Sequence, residues 1–461
     1  MAGAGVVLAI VAALVGSEGA CGSGGQAATY GSVAAAGADV SEPVDAGAET
    51  AASEDGTTDA PHADAPAATD APVTHDDAAT DAATDAGGAP LPALPLQVSG
   101  RWIVDAKGKR FKLAAVNWYG AEEQDFVVAG LDKLPLATIA HEIRALGFNA
   151  VRLPWSNQMF ESDPPIGAAL LSANPALKGK TALGVLDAVI DALAFEGIVV
   201  ILDDHTSDAN WCCSNTDGDG LWYTATYPET SWIADWRAIV ARYASQPAVV
   251  GADLRNEPRS VCSGSTCQVA TWGGSDPSVD WHAAAQRGGE AVLGANSKLL
   301  VFVEGVNYAN DLTGVYSLPV ALSVPNRLVY EAHDYAWDHN GLQSAADLHT
   351  TLGDWWGYIL AQGKSYTAPV WVGEFGTCHT SPTCVSDSTG QGLWFSAIGQ
   401  YLTGADIDWS YWALDGTEAR GTGRTYGAEE TYGVLDVAWS APALSNLTAA
   451  LQALQPATQG P

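Results

Sequence analysis

A closed (β/α)8 TIM barrel with enlarged loops at its mouth is the fold that residues 97–461 predict. Two observations carry this. Eight short apolar runs recur through the region, with helical patterns between most of them. That alternation implies parallel strands joined by right-handed crossovers. The second observation is positional: polar residues gather where the runs end and are sparse within them. Charged groups are costly to bury unpaired, so their accumulation at one end marks a shared mouth. An open doubly wound sheet is the competing architecture. It calls for a glycine-rich phosphate turn after the first strand, and none follows Asn117.

The chain starts with a different texture. Val6 to Val15 is an apolar run too short for a bilayer, which takes about 20 residues. It fits the core of an export signal, although no Lys or Arg precedes it. Cys21 follows Gly19-Ala20 and precedes Gly22-Ser23-Gly24-Gly25, which resembles a bacterial lipoprotein cleavage site. Glu18 departs from the aliphatic residue usual there. Residues 1–21 therefore read as a signal, with a lipid tether at Cys21 and simple secretion both open. Either way the expected location is outside the cell, secreted or on the bacterial outer surface. Residues 22–96 are mainly Ala, Asp, Thr, Pro and Gly, as in Thr80-Asp81-Ala82-Ala83-Thr84-Asp85-Ala86. With so few large apolar groups, chain entropy wins and a disordered acidic linker is expected. A solvated spacer of this kind favours a monomer.

The predicted strands then follow in order. Run 113–117 ends in Asn117-Trp118, run 150–153 carries Arg152, and run 198–202 leads into Asp203-Asp204-His205. Run 249–253 leads to Asn256-Glu257, and run 299–304 ends in Glu304. Run 328–330 precedes His333 and Tyr335, run 369–373 precedes Glu374, and run 407–411 precedes Trp412. Helical patterns occupy 138–146, 183–195, 232–243, 280–293, 346–361, 391–402 and 443–453.

Composition excludes some partners. The chain carries 53 acidic and 20 basic residues, for a net charge of -33. Nucleic acid and anionic membranes both need a positive patch, so neither is expected as a partner. No Trp precedes Trp102, so all 17 lie in the barrel region. Flat aromatic faces suit sugar rings, but large barrels need aromatic cores too. Trp155, Trp211, Trp222 and Trp337 are the loop candidates for sugar platforms.

Six cysteines follow Cys21, and an exported chain is expected to pair them. Short loops favour Cys262–Cys267 and Cys378–Cys384; the pairing of Cys212 and Cys213 stays open, with a strained vicinal bridge as one option. All six fall in mouth-side loops, where bridges would stiffen the walls of a cleft. No Cys-x2-Cys or His spacing points to zinc, so neither metal nor cofactor is expected.

The chemistry rests on Glu257 and Glu374. Each follows a buried-looking apolar run and precedes a helix-breaking residue, Pro258 or Phe375-Gly376. Facing carboxylates about 5–5.5 Å apart are what hydrolysis of a glycosidic bond with retention needs. One protonates the leaving oxygen and later activates water; the other attacks the anomeric carbon. Arg152 is a suitable cation for the nucleophile. Asn256 can offer its amide to the neighbouring sugar hydroxyl. His333 and Tyr335 are donors at the same mouth, and Trp412 is a floor under the sugar.

The chain resembles glycoside hydrolase family 5. The matching segments are VNWYG at 116–120, GFNAVRLPWS at 147–156, ILDDH at 201–205 and DLRNEP at 253–258. VYEAHDYAW at 329–337, VWVGEFG at 370–376 and WSYWALDG at 409–416 complete the set. Seven motifs in the family's order cover nearly all of 97–455. The resemblance implies Glu257 as acid/base and Glu374 as nucleophile, with supporting roles for Arg152, His205, Asn256, His333, Tyr335 and Trp412. Trp118, in the first motif, joins them as a substrate-binding candidate. NWYGAEEQDFVVAGL at 117–131 is similar to bacterial endo-β-1,4-glucanases, which implies a β-glucan substrate. β-Mannanase, another family 5 β-glycanase or a glycolipid-cleaving relative are the rival activities. A non-catalytic glycan-binding protein is the rival of another class, and the presence of both glutamates argues against it. Arg255 and Asp204 match no family role, and the insertion at Gly421-Thr422-Gly423-Arg424 is expected to line one end of the cleft.

Overall fold

The computed structural model describes residues 88–461. The export signal, Cys21 and most of the acidic linker lie outside the described residues.

A small antiparallel hairpin comes first, β1 (Gln97–Ser99) with β2 (Trp102–Val104). Then come β3 (Ala114–Asn117), α1 (Leu136–Ala145), β4 (Ala150–Ser156), α2 (Asn157–Ser162), α3 (Ala182–Phe195), β5 (Val199–Thr206), α4 (Glu229–Arg242) and β6 (Val249–Asp253). A second hairpin, β7 (Ser260–Ser263) and β8 (Thr266–Val269), precedes α5 (Trp281–Ala295) and β9 (Leu300–Glu304). β10 (Leu328–His333), α6 (Ala345–Trp355), β11 (Val370–Glu374), α7 (Gly390–Ala405), β12 (Asp408–Tyr411) and α8 (Ser445–Leu454) complete the order. Eight parallel strands close into a barrel in the order β3-β4-β5-β6-β9-β10-β11-β12, with β12 pairing back to β3. The strand-helix repeat breaks once. Between β9 and β10 the chain makes only a single 3-10 turn, Thr313–Tyr316.

Local sequence explains the elements. α1 buries Leu136, Ile139, Ala140 and Ile143, the i, i+3, i+4, i+7 stripe of a helix lying on a sheet. Thr181, Asp280 and Ser344 begin α3, α5 and α6 by accepting the N–H of Gly184, Ala283 and Asp347. Each such cap is worth about 1 kcal/mol.

Strand alternation sorts the barrel into layers. Ala115, Ala150, Val199, Ile201, Leu300, Phe302, Val329 and Trp371 point inward and fill the lower interior. Leu91, Leu94 and Leu96 pack on this plug, so the packed chain begins upstream of the composition boundary at residue 97. Two residues further along, on five of the eight strands, the inward position turns polar: Asn117 after Ala115, Arg152 after Ala150, Asp203 after Ile201, Glu304 after Phe302, Glu331 after Val329. Outward neighbours such as Val116, Val151, Leu202 and Val303 join the larger core beneath the helices. Several strands run past their apolar runs. β4, β5 and β10 extend three or four residues beyond the predicted ends at 153, 202 and 330, because backbone pairing continues after the inward side chains become polar. No helix among the described residues is long and apolar enough to cross a membrane.

Candidate active site

Arg152 is the hub of the polar layer. It is fully buried and faces five carboxylates. Its Nη1 donates to Glu374 Oε1 at 2.8 Å and lies 3.0 Å from Asp203 Oδ2. Nη2 donates to Asp253 Oδ2 at 2.7 Å, to Asn256 Oδ1 at 2.9 Å and to Glu304 Oε1 at 3.1 Å. Nε lies 3.4 Å from Glu331 Oε1. Burial works against the guanidinium charge, yet the surrounding carboxylates hold it firmly protonated. Gly373 makes room for this crowd, since a Cβ there would collide with the Glu331 carboxylate.

Glu257 and Glu374 converge above this hub. Their carboxylate oxygens, with a ring nitrogen of His333, lie within 4.8 Å of one another. Nδ1 of His333 is 3.1 Å from Glu257 Oε1 and 3.7 Å from Glu374 Oε2. The Tyr335 hydroxyl donates to Glu374 Oε2 at 2.9 Å. Glu374 therefore takes one hydrogen bond on each oxygen, from Arg152 and from Tyr335. Asn256 accepts from Arg152 on Oδ1 and directs its Nδ2 toward the sulfurs of Cys212 and Cys213 at 3.5 and 3.6 Å.

An aromatic cleft opens over Glu374. His205, Trp211, Cys212, Tyr335, Trp337, Glu374, Trp412 and Tyr432 line it. His205 stacks on Trp412 with centroids 5.4 Å apart, and its Nδ1 sits 2.7 Å from Asp203 Oδ2. Tyr119 stacks on Trp412 at 5.4 Å, and Tyr335 stacks on Trp337 at 4.3 Å. The insertion packs behind this cleft and supplies none of its lining: the Arg424 guanidinium lies 3.8 Å over the Trp211 ring and donates to the Tyr119 hydroxyl at 2.8 Å. Cys262–Cys267, Cys378–Cys384 and the adjacent Cys212–Cys213 are all paired.

The match to the cellulase family (glycosyl hydrolase family 5) runs over residues 104–418. The chain belongs to glycoside hydrolase family 5. Among relatives of this family 5 hydrolase, an endoglucanase of Paenibacillus polymyxa is 34% identical over 334 residues, which is 68% of this chain and 78% of that one. The major extracellular endoglucanase of Xanthomonas campestris pv. campestris is 36% identical over 251 residues, covering 52% and 49% of the two chains. In three dimensions the endocellulase of Pyrococcus horikoshii superposes with a TM-score of 0.67 at 26% identity, covering 80% of this chain and all of that one. The catalytic domain of the Xanthomonas enzyme gives 0.65 at 28% identity, covering 78% and 99%.

Sequence reasoning placed some residues wrongly. Trp118 does not reach the cleft. Asn117 points into the barrel, so Trp118 points out, where it is fully buried and donates Nε1–H to Ala129 O at 3.0 Å. The neighbour Tyr119 returns to the mouth and stacks on Trp412. Trp155 and Trp222 are core residues as well: Trp155 packs on Trp236, and Trp222 packs on Trp281. Trp211 and Trp337 do line the cleft. Asp204 and Arg255 form an outward pair 3.6 Å apart, with Arg255 also held by Asp219 at 2.7 Å. Glu331 and Asp253 went unremarked as parts of the site. Both lie in quoted motifs, and strand parity with Val329 exposes Glu331 as inward.

Burial dominates the titration of the polar layer. It pushes Asp203 up to about 6 and Asp253 to about 7, against the lowering effect of Arg152. Elsewhere burial takes Asp235 and Asp338 to about 7 and Glu122 to about 8. Unfolded, these groups titrate near 4. Each raised carboxyl contributes stability that is full below about pH 4 and lost as pH climbs through its folded value. His205 and His333 act in the opposite sense: burial lowers both to about 3, and unfolded His protonates below about 6.5. Above about pH 6.5 only the carboxyl effect remains. The thermal midpoint is therefore expected to fall from pH 6.5 to 8.5 in scanning calorimetry at constant salt. A flat or rising midpoint over that interval would sink this account.

Proposed function

We propose that the chain is an endo-β-1,4-glucanase that cleaves internal bonds of cellulose-like or mixed-linkage β-glucans with retention of configuration. The approach of Glu257 and Glu374 to within 4.8 Å, with Glu374 in the lining of an aromatic cleft, carries this reading. Retaining hydrolysis needs about 5–5.5 Å between carboxyl groups, whereas inversion needs about 6.5–9.5 Å to admit water. Glu374, held by Arg152 and Tyr335, attacks the anomeric carbon as Glu257 passes a proton to the departing oxygen. Glu257, now a carboxylate, then takes a proton from the water that releases the sugar from Glu374. His205 and His333, neutral above about pH 3, offer donors and acceptors without adding charge. Trp412 provides a flat face at the cleavage point, while Trp211 and Trp337 extend the platform along the cleft.

The choice of β-1,4-glucan over mannan or glycolipid draws on the relatives, which are named endoglucanases and endocellulases. A variant of the Pyrococcus enzyme is described in complex with cellotetraose. A product profile on defined β-1,4-gluco- and manno-oligosaccharides tests the substrate. Proton NMR of the first product tests the stereochemistry: the β-anomer is expected, and initial α-anomer would contradict retention.

Export belongs to the same reading, since three disulfides around the cleft suit an oxidising compartment. Attachment through a lipid at Cys21 is tested by mass spectrometry of the mature N-terminus, and a monomeric state by light scattering.

A further inference from the structure

Glu257 stands at φ 47°, in the left-handed region that a side chain with a Cβ rarely adopts. Such a backbone persists only where its surroundings over-determine it. Two fully buried groups hold it here. Glu304, at the end of β9, accepts the Glu257 backbone N–H on Oε2 at 2.6 Å. Arg259 donates Nη1–H to the Glu257 carbonyl oxygen at 3.0 Å. The other oxygen of Glu304 accepts from Arg152 Nη2, and Arg152 Nη1 holds Glu374. One side chain thus links the backbone of Glu257 to the guanidinium that fixes Glu374.

Neutralising Arg152 does not explain Glu304. Asp203, Asp253 and Glu331 already lie within 3.4 Å of the same guanidinium, and a further carboxylate only crowds the site. What Glu304 supplies beyond its charge is an acceptor for the Glu257 N–H. Its side chain is fully buried, is not among the residues that line the cleft, and meets Arg152, His333 and the Glu257 N–H.

We propose that Glu304 is a positioning residue that aims the Glu257 carboxyl at the leaving oxygen by holding Glu257 in its left-handed conformation. The proposal rests on the reading of Glu257 as the acid. Misaiming an acid slows only those bond cleavages that need a proton. An aryl β-cellobioside with a 2,4-dinitrophenolate leaving group departs unassisted, whereas one with 4-methylphenolate needs the proton.

The test compares kcat/KM on these two substrates, because that constant reports the bond-breaking step. Glu304→Met fills the space without an acceptor, and Glu304→Gln is the neutral isostere that keeps one. Glu304→Met should lose roughly 30-fold or more on the 4-methylphenyl substrate, part of the 10²–10⁴ that a general acid supplies, and less than about 3-fold on the dinitrophenyl substrate. Glu304→Gln should lower both rates yet return the ratio of the two toward the wild-type value. Equal losses on both substrates for Glu304→Met, or the same skewed ratio for Glu304→Gln, would overturn the proposal. Circular dichroism checks folding. If the methionine variant does not fold, Glu304→Asp takes its place, since its carboxylate stops a methylene short of the N–H. Glu257→Gln is measured alongside. If it shows no preference for the activated leaving group, the acid reading itself fails and the proposal falls with it.

Discussion

Replacing Glu374 with alanine should abolish turnover and leave glucan binding in place. The expected loss in kcat is roughly four to six orders of magnitude, the scale seen when an enzyme loses its covalent nucleophile. Binding should survive because, on the proposed reading, the contacts to sugar are elsewhere. Trp211, Trp337 and Trp412 keep their faces to the cleft, and His205 stays braced by Asp203. The fold survives because Arg152 retains Asp203, Asp253, Glu304 and Glu331 when Glu374 goes. Kinetics on a soluble cellulose ether measure the first half of this expectation, and calorimetric titration with cello-oligosaccharide measures the second. A small anion adds a sharper discriminator. Azide admitted to the space left by the carboxylate should restore turnover and give the α-glycosyl azide. Sugar release at the wild-type rate by the alanine variant would remove Glu374 from the mechanism.

The barrel was legible because its strands are written twice, once as apolar runs and once as polar residues at their ends. All eight runs, 113–117 through 407–411, became barrel strands. The convergence of Arg152, Asn256, Glu257, His333 and Glu374 followed from that geometry, since the C-terminal ends of parallel strands share one rim. Errors came where a run gave no parity. Asn117, Trp118 and Tyr119 sit in a row at one mouth position, and only the inward direction of Asn117 tells which aromatic packs on Trp412. The same blindness leaves Trp155 and Trp222 beside Trp211 and Trp337 as platform candidates, because a loop tryptophan and a core tryptophan look alike in one dimension. Glu331 was hidden for a different reason. It lies inside β10, where an unpaired charge would be prohibitive, and only its proximity to Arg152, itself from β4, makes the position tenable. The Cys262–Cys267 loop was readable as a bridge but not as the β7–β8 hairpin that it ties. The break between β9 and β10 left its own trace, since no helical pattern was found between runs 299–304 and 328–330.

Arg152→Met carries the largest expected cost to stability, and its dependence on pH is the more telling part. One cation serves Asp203, Asp253, Glu304, Glu331 and Glu374, and all six side chains are buried. Removing one member of a buried ion pair costs about 3–5 kcal/mol, because the remaining charge has no solvent to turn to. Here several carboxylates lose their partner together. At neutral pH they must either stay ionised against one another or take up protons. Asp203 and Asp253 already hold protons to about pH 6 and about pH 7 with Arg152 in place, so without it they rise further. The variant should therefore be destabilised most near pH 8, where keeping carboxyls protonated is hardest. At pH 4.5 Asp203 and Asp253 are largely neutral in the folded state, and what they lose with Arg152 is mainly hydrogen bonds. The gap in thermal midpoint between wild type and Arg152→Met should accordingly shrink on acidification, from on the order of 5–10 °C at pH 8 to a small fraction of that at pH 4.5. An equal gap at both pH values would mean that Arg152 acts by packing alone, and that the five carboxylates do not depend on its charge.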